Sequence, residues 1–195
     1  HAAFESAVQR AIRTILALTI PSAVLLAVTI RPLVQAVFGF DPAGTTLVVH
    51  AAWAYLLGLT GHSLLEIAAR AFYARQNARI PLMGRGLGAL TFVVLGILLY
   101  RAMGAAGIAL SNSLAFTIET IILLAILSRT FPNILKQGRP LLRILAGTAA
   151  AAAVSLLVVS AGGLSPLFSG GLALTAGTLT VLPFLLPELR LLRSL

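Results

Sequence analysis

Apolar residues in this chain do not alternate with polar ones. They run on in stretches of about twenty, broken by short clusters of charge and turn formers. The first stretch covers residues 14–38, with Pro21 inside it and Arg31-Pro32 near its far end. Residues 39–44 (Gly-Phe-Asp-Pro-Ala-Gly) read as a loop. A second stretch at 45–69 is followed by a polar hinge at 70–79, closed by Pro81. The third covers 81–100, and a tight connection at 101–106 leads to the fourth at 107–128. The longest polar segment, 129–139, precedes the fifth at 140–161. A Gly- and Ser-rich loop at 162–171 leads into the sixth, which ends near Pro187. Ahead of all six, residues 1–15 set Phe4, Val8 and Ile12 against Glu5, Gln9, Arg10 and Arg13, the pattern of an amphipathic helix rather than of a signal peptide. The chain opens at His1 rather than Met, and the expectation is an excised piece of a longer membrane protein.

Continuous apolar runs exclude a transmembrane β-barrel, whose strands alternate. They leave helices as the way to satisfy every backbone group in lipid. A large soluble α/β domain is the structural alternative. Composition argues against it: 59% of residues are hydrophobic and 10% charged, where a soluble domain carries about 25% charge. The expected fold is therefore an all-α membrane protein of about six transmembrane helices. There is no cysteine, which excludes disulfides and thiolate-bound metals and leaves the redox compartment open.

A net charge of +9 raises nucleic acid as a partner. The basic residues sit at span ends rather than along one face, which argues against it. Their distribution sets a direction instead. One side of the alternating connections holds Arg10, Arg13, Arg70, Arg75, Arg79, Arg85, Arg129, Lys136, Arg139, Arg143, Arg190 and Arg193; the other holds Arg31 and Arg101. Twelve against two is a positive-inside bias and predicts both ends in the cytoplasm.

Three segments resemble a known family. Residues 69–81, Ala-Arg-Ala-Phe-Tyr-Ala-Arg-Gln-Asn-Ala-Arg-Ile-Pro, look like the hinge of the MviN/MurJ lipid II flippases, approximately R-A-F-Y-A-R-Q-D-x-x-T-P. The first span, with Leu18-Thr19-Ile20-Pro21-Ser22-Ala23-Val24, then Arg31-Pro32-Leu33-Val34 and Val37-Phe38-Gly39, is similar to another piece of that family. So is Gly104-Ala105-Ala106-Gly107-Ile108-Ala109-Leu110-Ser111-Asn112-Ser113. The resemblance covers about the first 130 residues; the last two spans fit by hydropathy alone. Asn77 stands where the family has Asp, and Ile80 where it has Thr, which leaves room for a relative with a different lipid-linked substrate.

The resemblance implies a fourteen-helix transporter of two six-helix lobes and a C-terminal helix pair. It moves undecaprenyl-linked peptidoglycan precursor across the bacterial cytoplasmic membrane by alternating access. This chain would match helices nine to fourteen: residues 1–130 the rear of the second lobe, residues 131–195 the C-terminal pair. Its partners would then be a lipid-linked glycan, membrane lipids and the missing N-terminal lobe. The competing readings are an exporter of another lipid-linked glycan and a transport-inactive scaffold for a protein partner.

Such a flippase needs Arg for anionic head groups, because a guanidinium presents a fork of donors to phosphate oxygens. Arg70, Arg75, Arg79 and Arg85 cluster at the mouth of the third span, as attractors of a pyrophosphate or as plain anchors on anionic lipid. Arg75 stands out because it lies within the motif. His62, Glu66 and Arg70 are four apart on one helix face, and Glu66 with Arg70 reads either as a gate or as an interfacial ion pair. Glu119 falls near the middle of the fourth span, with Asn112 seven residues earlier on the same face. An intramembrane carboxylate is a functional candidate by default; a neutral Glu, or one bonded to a neighbouring helix, are the alternatives.

Gly84, Gly86 and Gly88 suit close packing through the 84/88 spacing better than a phosphate cradle, and the Ala-rich run 146–153 reads the same way. Pro21 and Pro183 are candidate kinks, and His50 is assigned nothing. There is no HExxH, no Asp-rich pair and no evident triad, so neither an enzyme nor a cofactor or metal is expected.

Overall fold

In the computed structural model the described residues, 2–161 and 163–192, form six α-helices and no strand. They are α1 Ala2–Phe38, α2 Pro42–Ala74, α3 Arg79–Met103, α4 Ala105–Thr130, α5 Gly138–Ser160 and α6 Pro166–Leu192. Of the positions used above, His1, Gly162 and Arg193 lie outside the described residues, as does the side chain of Arg190. All six helices are long and apolar enough to cross a bilayer.

The connections are shorter than the hydropathy suggests, because helices run on through polar residues at both membrane surfaces. The amphipathic segment and the first span are one helix of 37 residues, about 55 Å long. Pro21 and Pro32 both lie inside it. The 101–106 connection narrows to Gly104, whose φ of +57° is open to glycine at little cost. Pro166 starts α6 inside the expected 162–171 loop. Before α2, the Asp41 carboxylate accepts the Gly44 N–H at 3.0 Å and Pro42 takes the first position, where its missing donor is harmless.

The motif hinge is a helix stop. Asn77 N–H donates to the Phe72 carbonyl and Gln76 N–H to the Tyr73 carbonyl, the paired bonds of a Schellman motif. That geometry puts Gln76 at φ +56°, in the left-handed region usually given to glycine. Ile80, one of the two departures from the family pattern, packs against the cluster of Leu65, Phe72, Leu123 and Leu127.

Helices in lipid gain nothing from hiding apolar surface from water, so they adhere through small residues and hydroxyls. On α2 and α4, Ser113 Oγ donates to the Ala54 carbonyl and Thr120 Oγ1 to the Gly61 carbonyl, both at 2.6 Å. Gly58 makes room for this: a Cβ there would sit 2.6 Å from Ser113 Cα. On α5, Ser155 Oγ donates to the Ala173 carbonyl of α6 at 2.8 Å. The Ala-rich run contributes less than its sequence suggested. Gly147, Thr148, Ala151 and Ser155 are buried, while Ala146, Ala149 and Ala153 are exposed.

Helices α2 and α3 both pack on α4 and barely touch each other, whereas α5 and α6 pack on each other and on α1. Among the described residues, α1 is thus the helix that joins the two groups. Its first turns are seated on the α4–α5 connection. Glu5 accepts the Asn133 N–H at 2.8 Å, Gln9 Nε2 donates to the Lys136 carbonyl, and Gln137 Nε2 donates to the Gln9 carbonyl. The apolar face read from the sequence is the buried one, with Val8 and Ile12 in the core and Phe4 against Phe131.

Two substitutions test this packing by thermal melting of the detergent-solubilised protein. Gln76→Gly removes the left-handed strain and is expected to stabilise by about 1 kcal/mol. Gly58→Ala drives a methyl into the Ser113 backbone and is expected to cost about 1–3 kcal/mol. Gly86→Ala, with nothing within 4 Å of the added carbon, is the control and is expected to stabilise by about 0.4–1 kcal/mol.

Candidate functional site

Five acidic residues face fourteen basic ones, so where each acid goes determines much of the electrostatics. Asp41 caps α2 and Glu5 holds the α4–α5 connection. Glu66 is exposed, and among the described residues it makes no ion pair; the pair expected with Arg70 does not form, and Arg70 is exposed as well. Two exposed side chains in high dielectric gain too little to hold one geometry. The remaining two carboxylates, Glu119 and Glu188, are buried.

Glu119 is carried by α4 against the glycine face of α3. A Cβ at Gly88 would lie 2.6 Å from Glu119 Oε2, and one at Gly84 would lie 2.7 Å from Leu123 Cδ1. The 84/88 spacing therefore does serve close packing, and the carboxylate is what fills the room. Arg85, between those glycines, brings Nε to 3.7 Å from Glu119 Oε1. Its guanidinium also stands over Phe116, 5.6 Å from the ring centroid, and His62 of α2 meets the same ring edge-on at 4.4 Å. Asn112 joins Glu119, Arg85, Gly88 and Phe116 around a recess of about 160 Å³. Glu119 thus faces a neighbouring helix, with Arg85 at ion-pair distance.

The arginine cluster does not act as one group. Arg85 turns to Glu119. Arg75 lies over Phe131, 5.1 Å from the centroid, and so ties the hinge to the end of α4. Arg70 and Arg79 are exposed.

The second buried carboxylate is one the sequence reading passed over. Glu188 of α6 is 1% exposed and pairs with Arg13 of α1 and Arg143 of α5. Arg13 Nη2 donates to Oε1 at 2.8 Å. Both arginines had been counted only as surface charge. The available signal was the scarcity of acids: a Glu beside Pro187 at the end of an apolar span needs a cation.

An apolar groove of about 570 Å³ opens between α1, α2 and α5, lined by residues including Ile20, Val24, Val28, Trp53, Leu57 and Leu156. Trp53 closes its rim by donating Nε1–H to the Ala27 carbonyl at 2.8 Å.

A family profile described as "Lipid II flippase MurJ" matches residues 1–176. The chain belongs to that family. The match reaches past the 130 residues that carry the sequence resemblance, through α5 and into α6. The probable lipid II flippase MurJ of Rhizobium meliloti (strain 1021) is 31% identical over 121 residues, 60% of this chain and 23% of the relative. The lipid II flippase MurJ of Thermosipho africanus (strain TCF52B) is 29% identical over 125 residues, 63% of this chain and 26% of the relative. The chain thus spans about a quarter of the length of these MurJ relatives. A solved structure, lipid II flippase MurJ in an inward closed conformation, superposes with a TM-score of 0.81 at 24% identity, covering 93% of this chain and 38% of that one. The MurJ fold is shared along nearly the whole chain. With six apolar helices, the chain is a multi-pass protein of the bacterial inner membrane.

Removing one partner of a buried pair leaves the other unsatisfied, at a cost of about 1–3 kcal/mol. Arg85→Gln is therefore expected to lower the melting temperature more than Glu119→Gln, because the buried carboxylate is left without its cation while the half-exposed guanidinium can turn to water. The double substitution should recover most of the difference.

Proposed function

We propose that this chain is the trailing part of a flippase that carries lipid II across the cytoplasmic membrane by alternating access, working as a transporter and not as an enzyme. The observation that carries the reading is the family match running from residue 1 to residue 176. It passes through the hinge, the Glu119 helix and all three helices around the apolar groove. Residues 1–130 serve as the rear of the second lobe and 131–195 as the C-terminal helix pair, with the missing N-terminal lobe completing the cavity. The arginine-rich end, where α1 begins and α6 ends, faces the cytoplasm in this reading, as twelve basic residues against two favour.

The division of labour follows from the chemistry. Arg70 and Arg79 offer forked donors to a pyrophosphate at the cytoplasmic mouth. Arg75 holds the hinge through Phe131, and Glu66 adds a negative charge that limits retention of the head group. Glu119, Arg85 and Asn112 form the polar element between α3 and α4 that could act as a gate. The groove accepts hydrocarbon. A related substrate, another lipid-linked glycan, is favoured by Asn77 and Ile80: the hinge has one negative charge and one hydroxyl fewer than the family pattern.

The test is expression of the complete gene in a bacterium depleted of its own lipid II flippase. Growth should be restored. Well-expressed protein without rescue would exclude lipid II as the substrate. Replacing Arg70 and Arg79 together by Gln should lower lipid II exposure on the outer leaflet at least about tenfold, the effect of losing one charge-assisted contact. Arg101→Gln at the opposite end should leave it unchanged.

A further inference from the structure

We propose that the Glu188 carboxylate, gripped by Arg13 and Arg143, is a clasp that positions the α5–α6 pair and thereby sets the width of the groove between α2 and α5. It rests on the flippase reading only for what the groove holds, not for the geometry.

Two of the groove's walls, α1 and α2, pack directly on each other, while the third, at Leu156, belongs to α5. Helix α5 packs on α1 and α6 and on no other helix among those described. Apart from the α4–α5 connection at its far end, the place of Leu156 relative to Leu57 across the groove is therefore fixed by packing on α1. The core of that contact is apolar: Ala17 and Leu25 of α1 against Ile144 and Ala151 of α5 and Val181 and Leu185 of α6. In lipid such surfaces hold weakly and can slide, because separating them exposes nothing to water. The clasp is different in kind. One carboxylate, nearly inaccessible, holds a guanidinium from each of the two other helices, and both arginines reach solvent at their outer edges.

Leverage follows from length. Arg143 and Leu156 lie on the same helix, 13 residues and about 20 Å apart. A tilt of about 10° at the clasp would move Leu156 by about 3 Å over that arm.

Nitroxide labels at Leu57→Cys and Leu156→Cys in the complete protein, held in lipid nanodiscs, report the width by pulsed electron resonance. This chain has no cysteine of its own, and any cysteine elsewhere in the complete protein is first replaced by Ser. Glu188→Gln is expected to broaden the distance distribution and shift it by about 3 Å. Inverting all three charges, with Glu188→Arg, Arg13→Glu and Arg143→Glu, should restore the wild-type distribution, a rescue that a general packing defect would not allow. The idea is overturned if folded Glu188→Gln protein keeps the wild-type distance, or if the folded inverted triple stays displaced. Should Glu188→Gln not accumulate, the inverted triple decides alone. Growth of the depleted strain tests the flippase reading separately, and its failure would leave these distances unchanged.

Discussion

Helix α1 is the element through which the rest of the molecule is assembled. The α2–α3–α4 group and the α5–α6 pair each pack against it and not against each other. Its own position is fixed at its start and through its middle. At the start, Glu5 and Gln9 bind it to the connection between α4 and α5; further along, Arg13 meets Glu188, Thr19 meets Thr60, and Ala27 receives the Trp53 indole. Two internal prolines, at 21 and 32, each remove one backbone donor from α1.

The polar groups are placed with the same economy. Nearly every buried hydroxyl on these helices donates to a carbonyl, either on its own helix or on a neighbour. Carboxylates enter the interior at two places, and each time an arginine follows from another helix. This is what a low-dielectric solvent demands, since an unmatched charge there costs several kcal/mol.

Much of this was legible in the sequence. The six spans, the helical class and the family could all be read from runs of apolar residues and three local motifs. The close approach at Gly84 and Gly88 was readable too, since two glycines four apart lie on one helix face. What stayed hidden were the pairings between helices. Arg143 and Arg13 lie 45 and 175 residues from Glu188, and charge counted along a chain says which membrane surface a residue occupies, not which helix stands next to it. The place of Arg75 over Phe131 was hidden for the same reason: nothing local revealed that the ring would come beneath it. Gln76 was hidden by a preference, because a left-handed helix stop is ordinarily signalled by Gly.

The near absence of contact between α2 and α3 bears on how the chain is held in one piece. Both helices lean on α4, so the four residues between α2 and α3 carry continuity of the chain but little of the cohesion. A molecule severed between Arg75 and Ala78 would leave one part ending in α2 and the other starting at α3, joined by the Ser113 and Thr120 bonds and by the seat of α1. Two separately translated halves should find one another in the membrane and make the same bundle. The covalent link across the hinge is then a matter of stoichiometry and order of insertion, not of architecture.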